Sequence, residues 1–229
     1  MEILKDKVAV ITGASSGIGA AIAQKLNDNG VKIALLSRNE DKMNDIAEDF
    51  TDALMIPTDV TDRKAVEQAI EHTMAHFGQV DFLINSAGLM TSSAITKGDV
   101  TGWDAMIDVN VKGTLYAINA VMPHLQAQSS GHIVNISSIS GFEVTKVSTL
   151  YSATKAAVHA ITQGLEKELA RTGIRSTSIS PGMVDTPLNE GYDFGDRKML
   201  EAQNIADAVL YALTQPAHVN VNEITVRPV

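Results

Sequence analysis

What most limits the fold of this chain is a rhythm. A short apolar run, rich in β-branched residues, breaks off at a glycine or polar turn and is followed by a stretch of helical period. Val8–Thr12, VAVIT, is the first such run and stops at Gly13. Apolar side chains at consecutive positions leave no face for water, which suits a strand buried on both sides in a parallel sheet. Ile18, Ile22 and Leu26 then share one face of a helix running to about Asn29. The rhythm returns with KIALLS at Lys32–Ser37, followed by a helix opening at Arg38-Asn39-Glu40-Asp41 with Met43, Ile46, Ala47 and Phe50 on its apolar side. It returns again at 53–58, where the helix beginning at Asp62 carries Val66, Ile70 and Phe77. Strands are predicted at 80–85, 133–136, 174–180 and Glu223–Val226, and helices at 103–126, 151–171 and 205–213.

Strands alternating with helices, with no linker or composition break, predict an α/β fold. Residues 1–229 form a single doubly wound domain, its seven-stranded, mainly parallel sheet carrying helices on both faces. Ligands of such sheets sit outside the carboxyl ends of the strands, at the switch point of strand order. No apolar run approaches the ~18 residues that span a bilayer, so no membrane partner is expected. The opening MEILKDKVAVITG places charges where a signal peptide needs its apolar core. With no cysteine for a disulfide or thiolate metal site, this predicts a cytoplasmic chain. A net charge of -9 without clustered Lys or Arg argues against a nucleic-acid partner. His72 and His76 have ligand spacing, but no glutamate follows the first, so they read as a solvated helix face and no metal is expected.

Two local patterns carry chemistry. Gly13-Ala-Ser-Ser-Gly17-Ile-Gly19 lies between a strand and a helix, where glycines permit tight turns and the helix N-terminus offers N–H groups to a pyrophosphate. In YSATKAA, Tyr151 and Lys155 are four apart and project from one helical face. A free phenol, with a pKa of about 10, moves protons poorly near neutrality, and a fixed cation beside it stabilises the phenolate. The bland alternative for this spacing is a snorkelling lysine beside a half-buried ring.

In order along the chain, TGASSGIG at 12–19, DV at 59–60, NSAG at 85–88, Asn110 in DVNVKG, NISS at 135–138, YSATK at 151–155 and PGMVDT at 181–186 resemble the NAD(P)-dependent short-chain dehydrogenase/reductase family over essentially the whole length. One departure is Ser86, where the family usually carries a second asparagine, and a structural adjustment is expected there. The resemblance implies an oxidoreductase moving a hydride between a nicotinamide cofactor and a small alcohol or carbonyl. It implies Tyr151 as the general acid/base, and Lys155 as the residue that lowers the tyrosine pKa and holds the nicotinamide ribose. Ser138, favoured over Ser137, would donate to the reacting oxygen, and Asn110 would hold a water linking Lys155 to solvent. For the cofactor it implies Gly13, Ser15, Ser16, Gly17, Ile18 and Gly19 at the first turn, and Ser37, Arg38 and Asn39 after the second strand. Asp59 and Val60 would follow the third strand and Asn85, Ala87 and Gly88 the fourth. Tyr151 and Lys155 would sit beside the nicotinamide, and Pro181, Gly182, Val184 and Thr186 beyond the sixth strand. A redox-sensing NADP-binding module, or an epimerase or dehydratase, would use the same fold; net cofactor consumption separates them.

Cofactor preference is read at the end of the second strand. An acid there would accept from the ribose hydroxyls of NAD, but this strand ends Leu36-Ser37-Arg38-Asn39, and Arg38 suits a 2′-phosphate. NADP is expected over NAD; the alternative for Arg38 is a helix-capping arginine beside Glu40 and Asp41. Substrate contacts are expected from 89–93, 140–147 and 183–192, with 183–203 a mostly loop segment carrying Gly191 and Gly195 as a candidate lid. A phosphorylated substrate is not favoured, because no arginines cluster there. Resemblance over the last thirty or so residues points to the branch with NADP-dependent hydroxy-acid and serine dehydrogenases. It also implies a homodimer or homotetramer built on the helices at 103–126 and 151–171, where Ala153, Ala156 and Ala160 permit close approach.

Overall fold

The computed structural model describes residues 2–189 and 198–229. Its first half runs β1 (Val8–Thr12), α1 (Gly17–Asn27), β2 (Lys32–Ser37), α2 (Glu40–Ala47), β3 (Ala53–Pro57), α3 (Arg63–Phe77) and β4 (Phe82–Asn85). Then come α4 (Val100–Ile107), a π-helical turn (Asp108–Gly113), α5 (Thr114–Gln128), β5 (Gly131–Ile136), α6 (Thr149–Glu168) and β6 (Ile174–Pro181). The described chain closes with β7 (Val184–Asp185), β8 (Leu200–Glu201), α7 (Ala202–Leu213) and β9 (Glu223–Val226).

The main sheet has seven strands in the order β3-β2-β1-β4-β5-β6-β9, and each of its pairings is parallel. The chain winds outward from β1 to β3, then returns to place β4 on the other side of β1, so the switch point lies between β1 and β4. Register explains the continuous apolar runs. Ala9 and Ile11, Ile33 and Leu35, and Phe82 and Ile84 face the core shared with α1, α2 and α7. Val10, Ala34, Leu36 and Leu83 point the other way, into the core shared with α3, α5 and α6. Successive residues bury on opposite faces because the side-chain period of a strand is two.

Helix starts follow local side-chain chemistry. Asn39, Asp62 and Asp99 each accept a backbone N–H in the first turn of α2, α3 and α4. The Asp99 cap opens the long helix at Val100, ahead of the expected Trp103. The expected uninterrupted helix is divided by the π turn, which carries Asn110. Inside 183–203, expected as mostly loop, β7 and β8 pair into a two-stranded parallel sheet. The expected roles of Gly191, Tyr192 and Gly195 lie outside the described residues. No helix among the described residues is long and apolar enough to cross a membrane.

Candidate active site

A cleft of about 770 Å³ opens at the carboxyl ends of the strands, across the switch point. The glycine turn forms its floor. Gly13 adopts φ +68°, and a Cβ there would lie 2.6 Å from the Cα of Ala87, so the turn presses directly on the NSAG segment. Gly17, at φ +54°, lies under Thr186, whose Cβ is 3.2 Å from the position a Gly17 Cβ would take. Ser16 starts α1 with extended backbone and no side-chain cap, which leaves the first-turn N–H groups to a ligand. An uncapped helix start against a cradle that a Cβ would fill fits a dinucleotide pyrophosphate.

At the end of β2, the Ser37 hydroxyl donates to Ser15 Oγ at 2.7 Å, and Arg38 is exposed at the cleft rim. Among the described residues, the ion pairs involve none of Arg38, Glu40 and Asp41. Asp59 accepts from Thr61 N at 2.9 Å and Thr61 Oγ1 at 2.7 Å. These bonds, with the Arg38 charge adding to them, hold its carboxyl below the usual range against a smaller opposing effect of burial.

The NSAG segment is fixed by Thr12, whose Oγ1 accepts from Ser86 N and Ala87 N at 3.2 Å each. Asn85 is buried beneath it and donates to Asn135 Oδ1 at 2.9 Å, while Asn135 donates to Thr162 Oγ1 at 2.9 Å. Ser86, where the family resemblance expects an asparagine, lines the cleft while its own N–H stays on Thr12.

Tyr151 and Lys155 sit one turn apart on α6, 7% and 5% exposed, with Lys155 Nζ 5.8 Å from the phenol ring centre. Nζ donates to the Ile136 carbonyl at 2.9 Å, and burial pushes the ammonium down to about 8. The two adjacent serines differ. Ser137 Oγ donates to the Lys155 carbonyl at 3.0 Å and so holds α6 to the end of β5. Ser138 Oγ accepts from Ser140 N at 3.1 Å and reaches the Pro181 carbonyl only at 3.5 Å. Its hydrogen is therefore weakly committed.

Asn110 does not line the cleft but braces it. Its side chain accepts from Leu89 N at 2.7 Å and donates to Leu89 O at 2.9 Å and Thr154 Oγ1 at 3.0 Å. Thr154 in turn donates to the Tyr151 carbonyl at 2.7 Å. Asn110 Oδ1 and Lys155 Nζ both lie 3.8 Å from the Cβ position of Gly88. A π turn is a common device for aiming one such side chain.

Of the expected site residues, Asn39, Asn85 and Asn110 lie outside the cleft lining, Asn39 serving as the cap of α2. The others are brought together around one opening. Sequence reasoning passed over Thr12, Thr154 and His159. The His159 Nε2 lies 3.3 Å from the Ser138 carbonyl, and its Nδ1 lies 3.3 Å from Ser178 Oγ. The signal for His159 was present, since it continues the four-residue spacing of Tyr151 and Lys155 along the same helix.

A family model described as short chain dehydrogenase matches residues 7–194. An uncharacterized oxidoreductase of Staphylococcus saprophyticus is 63% identical over 231 residues, 99% of each chain. Serine dehydrogenase in its closed form, complexed with NADP+, is similar with a TM-score of 0.89 at 29% identity, over 96% of this chain and 94% of that one. The alcohol dehydrogenase of the archaeon Thermococcus sibiricus, complexed with 5-hydroxy-NADP, gives 0.90 at 30% identity over 97% of each chain. A nicotinamide cofactor and a small-molecule substrate are the chemistry these likenesses carry, and the cleft has the cradle for the first. The chain belongs to the short-chain dehydrogenase family and is an oxidoreductase.

Proposed function

We propose that this chain is an NADP-preferring dehydrogenase/reductase that interconverts a small alcohol and its carbonyl, with Tyr151 exchanging the proton at the substrate oxygen. The observation that carries this reading is the buried Tyr151–Lys155 pair, which lines the same cleft as the uncapped glycine turn. When bound, the nicotinamide supplies or accepts the hydride. Tyr151 gives its proton to a carbonyl oxygen in reduction and takes one back from the alcohol in oxidation. Lys155 favours the phenolate by its charge and holds the cofactor ribose; with its own pKa near 8 it is still largely cationic at neutral pH. Ser138 turns its weakly held hydroxyl to the substrate oxygen and stabilises the charge that develops there. Asn110 holds Leu89 and, through Thr154, the Tyr151 backbone. Its remaining acceptor position, toward Gly88 and Lys155 Nζ, is where a water would link Lys155 to solvent.

NADP preference rests on Arg38, free of ion pairs among the described residues at the position where an acid would repel a 2′-phosphate. The substrate end mixes Leu89, Met90 and Met183 with Thr91, Ser92 and Thr145, and its charged groups are Lys146 and Glu143, the latter paired with Arg227, which suits a small polar molecule. The names of the solved relatives make serine and simple alcohols the first compounds to try. A cytoplasmic homodimer or homotetramer is part of the same reading, supported by the exposed Ala153, Ala156 and Ala160 on α6 and by Leu115, 42% exposed on α5.

The test is a screen of small alcohols and carbonyls by nicotinamide absorbance with both cofactors, in wild type and Arg38→Asp. Wild type is expected to favour NADP in kcat/KM, and the variant to lose on the order of tenfold or more of that preference with the charge-assisted phosphate contact. A wild type that prefers NAD, or an unchanged preference in the variant, contradicts the assignment.

A further inference from the structure

The turn that carries Ser138 is held from two sides. Gly141 N donates to Ser138 O at 3.0 Å, and Phe142 N and Glu143 N donate to Ile139 O at 3.0 and 2.9 Å, coiling the chain away from the serine. On the inner side, His159 reaches the Ser138 carbonyl. On the outer side Arg227, 84 positions from Glu143 in sequence, donates from Nη1 to Glu143 Oε2 at 3.0 Å and from Nη2 to Oε1 at 2.6 Å. The guanidinium also lies over the Phe142 ring, 5.9 Å from its centre.

The same tail touches the opposite wall. Gly182 N donates to Val226 O at 2.8 Å, and Pro228 Cδ is 3.0 Å from the Cβ position of Gly182. Residues 226–228 therefore bridge the Ser138–Glu143 turn and the Pro181-Gly182 wall, both of which line the cleft. Past Glu143 the cleft-lining loop has little apolar anchorage, since Val144 is 67% and Val147 47% exposed. An exposed ion pair is ordinarily weak, but a bidentate fork stacked on an aromatic face is the geometry in which one contributes measurably.

We propose that Arg227 and Glu143 form a clasp by which the C-terminal tail fixes the substrate end of the cleft. These are positioning residues, and the assignment rests on the reading that substrate meets Ser138 and Tyr151 there. Because Arg227 engages both Glu143 carboxylate oxygens, the clasp also withholds that charge from the substrate.

The test compares wild type, Arg227→Ala, Glu143→Ala and the exchanged pair E143R/R227E. Hydrogen–deuterium exchange is read at amides 141–148, and NADPH oxidation is followed with ethyl acetoacetate as the carbonyl probe. Each single variant is expected to exchange roughly three- to fivefold faster in this segment and to raise KM by a similar factor, with kcat within about twofold of wild type. The exchanged pair is expected to recover most of both effects, which a merely space-filling role would not allow. Wild-type exchange rates in the single variants, or no recovery in the exchanged pair, overturn the clasp. Failure of the functional reading looks different: a wild type that reduces none of the carbonyls and so leaves NADPH unoxidised, while the exchange data still decide the clasp.

Discussion

Burying Lys155 should leave a signature in the pH dependence of stability. Its ammonium falls from 10.5 in the unfolded chain to about 8 in the fold because burial penalises the charge. Between those values the unfolded chain binds a proton that the folded chain does not, so stability rises with pH across that window. Below about 8 both states are protonated and the penalty is constant; above 10.5 both are neutral and it vanishes. The fall corresponds to about 3 kcal/mol. Lys155→Met removes the slope, and making the comparison in a Tyr151→Phe background keeps the phenol from titrating in the same range. Methionine also loses the bond to the Ile136 carbonyl, a cost of about 1–3 kcal/mol that does not vary with pH. It therefore displaces the curve without tilting it. Urea unfolding at several pH values between about 7 and 10.5 measures both curves. The lysine protein should gain about 3 kcal/mol relative to the methionine variant over that range. Parallel curves would refute the reasoning.

Gly13→Ala forces a Cβ into a left-handed position and 2.6 Å from the Ala87 backbone. It should destabilise the fold by about 2 kcal/mol or more, read as a lower melting temperature, and weaken cofactor binding together with it. Assembly is checked by light scattering at micromolar concentration, where a dimer or tetramer is expected and a monomer would contradict the proposed use of α5 and α6.

The central strands β1, β2 and β4 were legible because each is a short apolar run, ended by a turn, whose neighbouring residues bury on opposite faces; at the edge, β9 shows only the alternation of exposed Glu223 and Thr225 with half-buried Ile224 and Val226. The doubly wound class followed from the alternation of strand and helix, and with it a cleft at the carboxyl ends of the strands, whereas the order of the strands came only with the structure. Other features left little local trace. The π turn at Asp108–Gly113 interrupts a helix without any change in composition. β7 and β8 are two residues each, too short for a period to show. Asn39 and Asn110 were named through the family resemblance, but whether an amide faces the cleft or ties backbone together depends on its partners, which for Asn110 are Leu89 and Thr154, distant in sequence. The Glu143–Arg227 pair is the extreme case, since nothing near either residue announces the other.

Proton exchange by Tyr151 is the centre of this account, and Tyr151→Phe tests it most directly. Turnover of an alcohol or carbonyl found by the nicotinamide screen and the dissociation constant for NADP would be measured side by side in wild type and variant. The ring keeps its buried place on α6 but has no proton to give. Turnover should therefore fall by about 100-fold or more while NADP binding stays near the wild-type value. A variant that retains more than a few per cent of the wild-type rate, about what the loss of acid/base catalysis forbids, would contradict it.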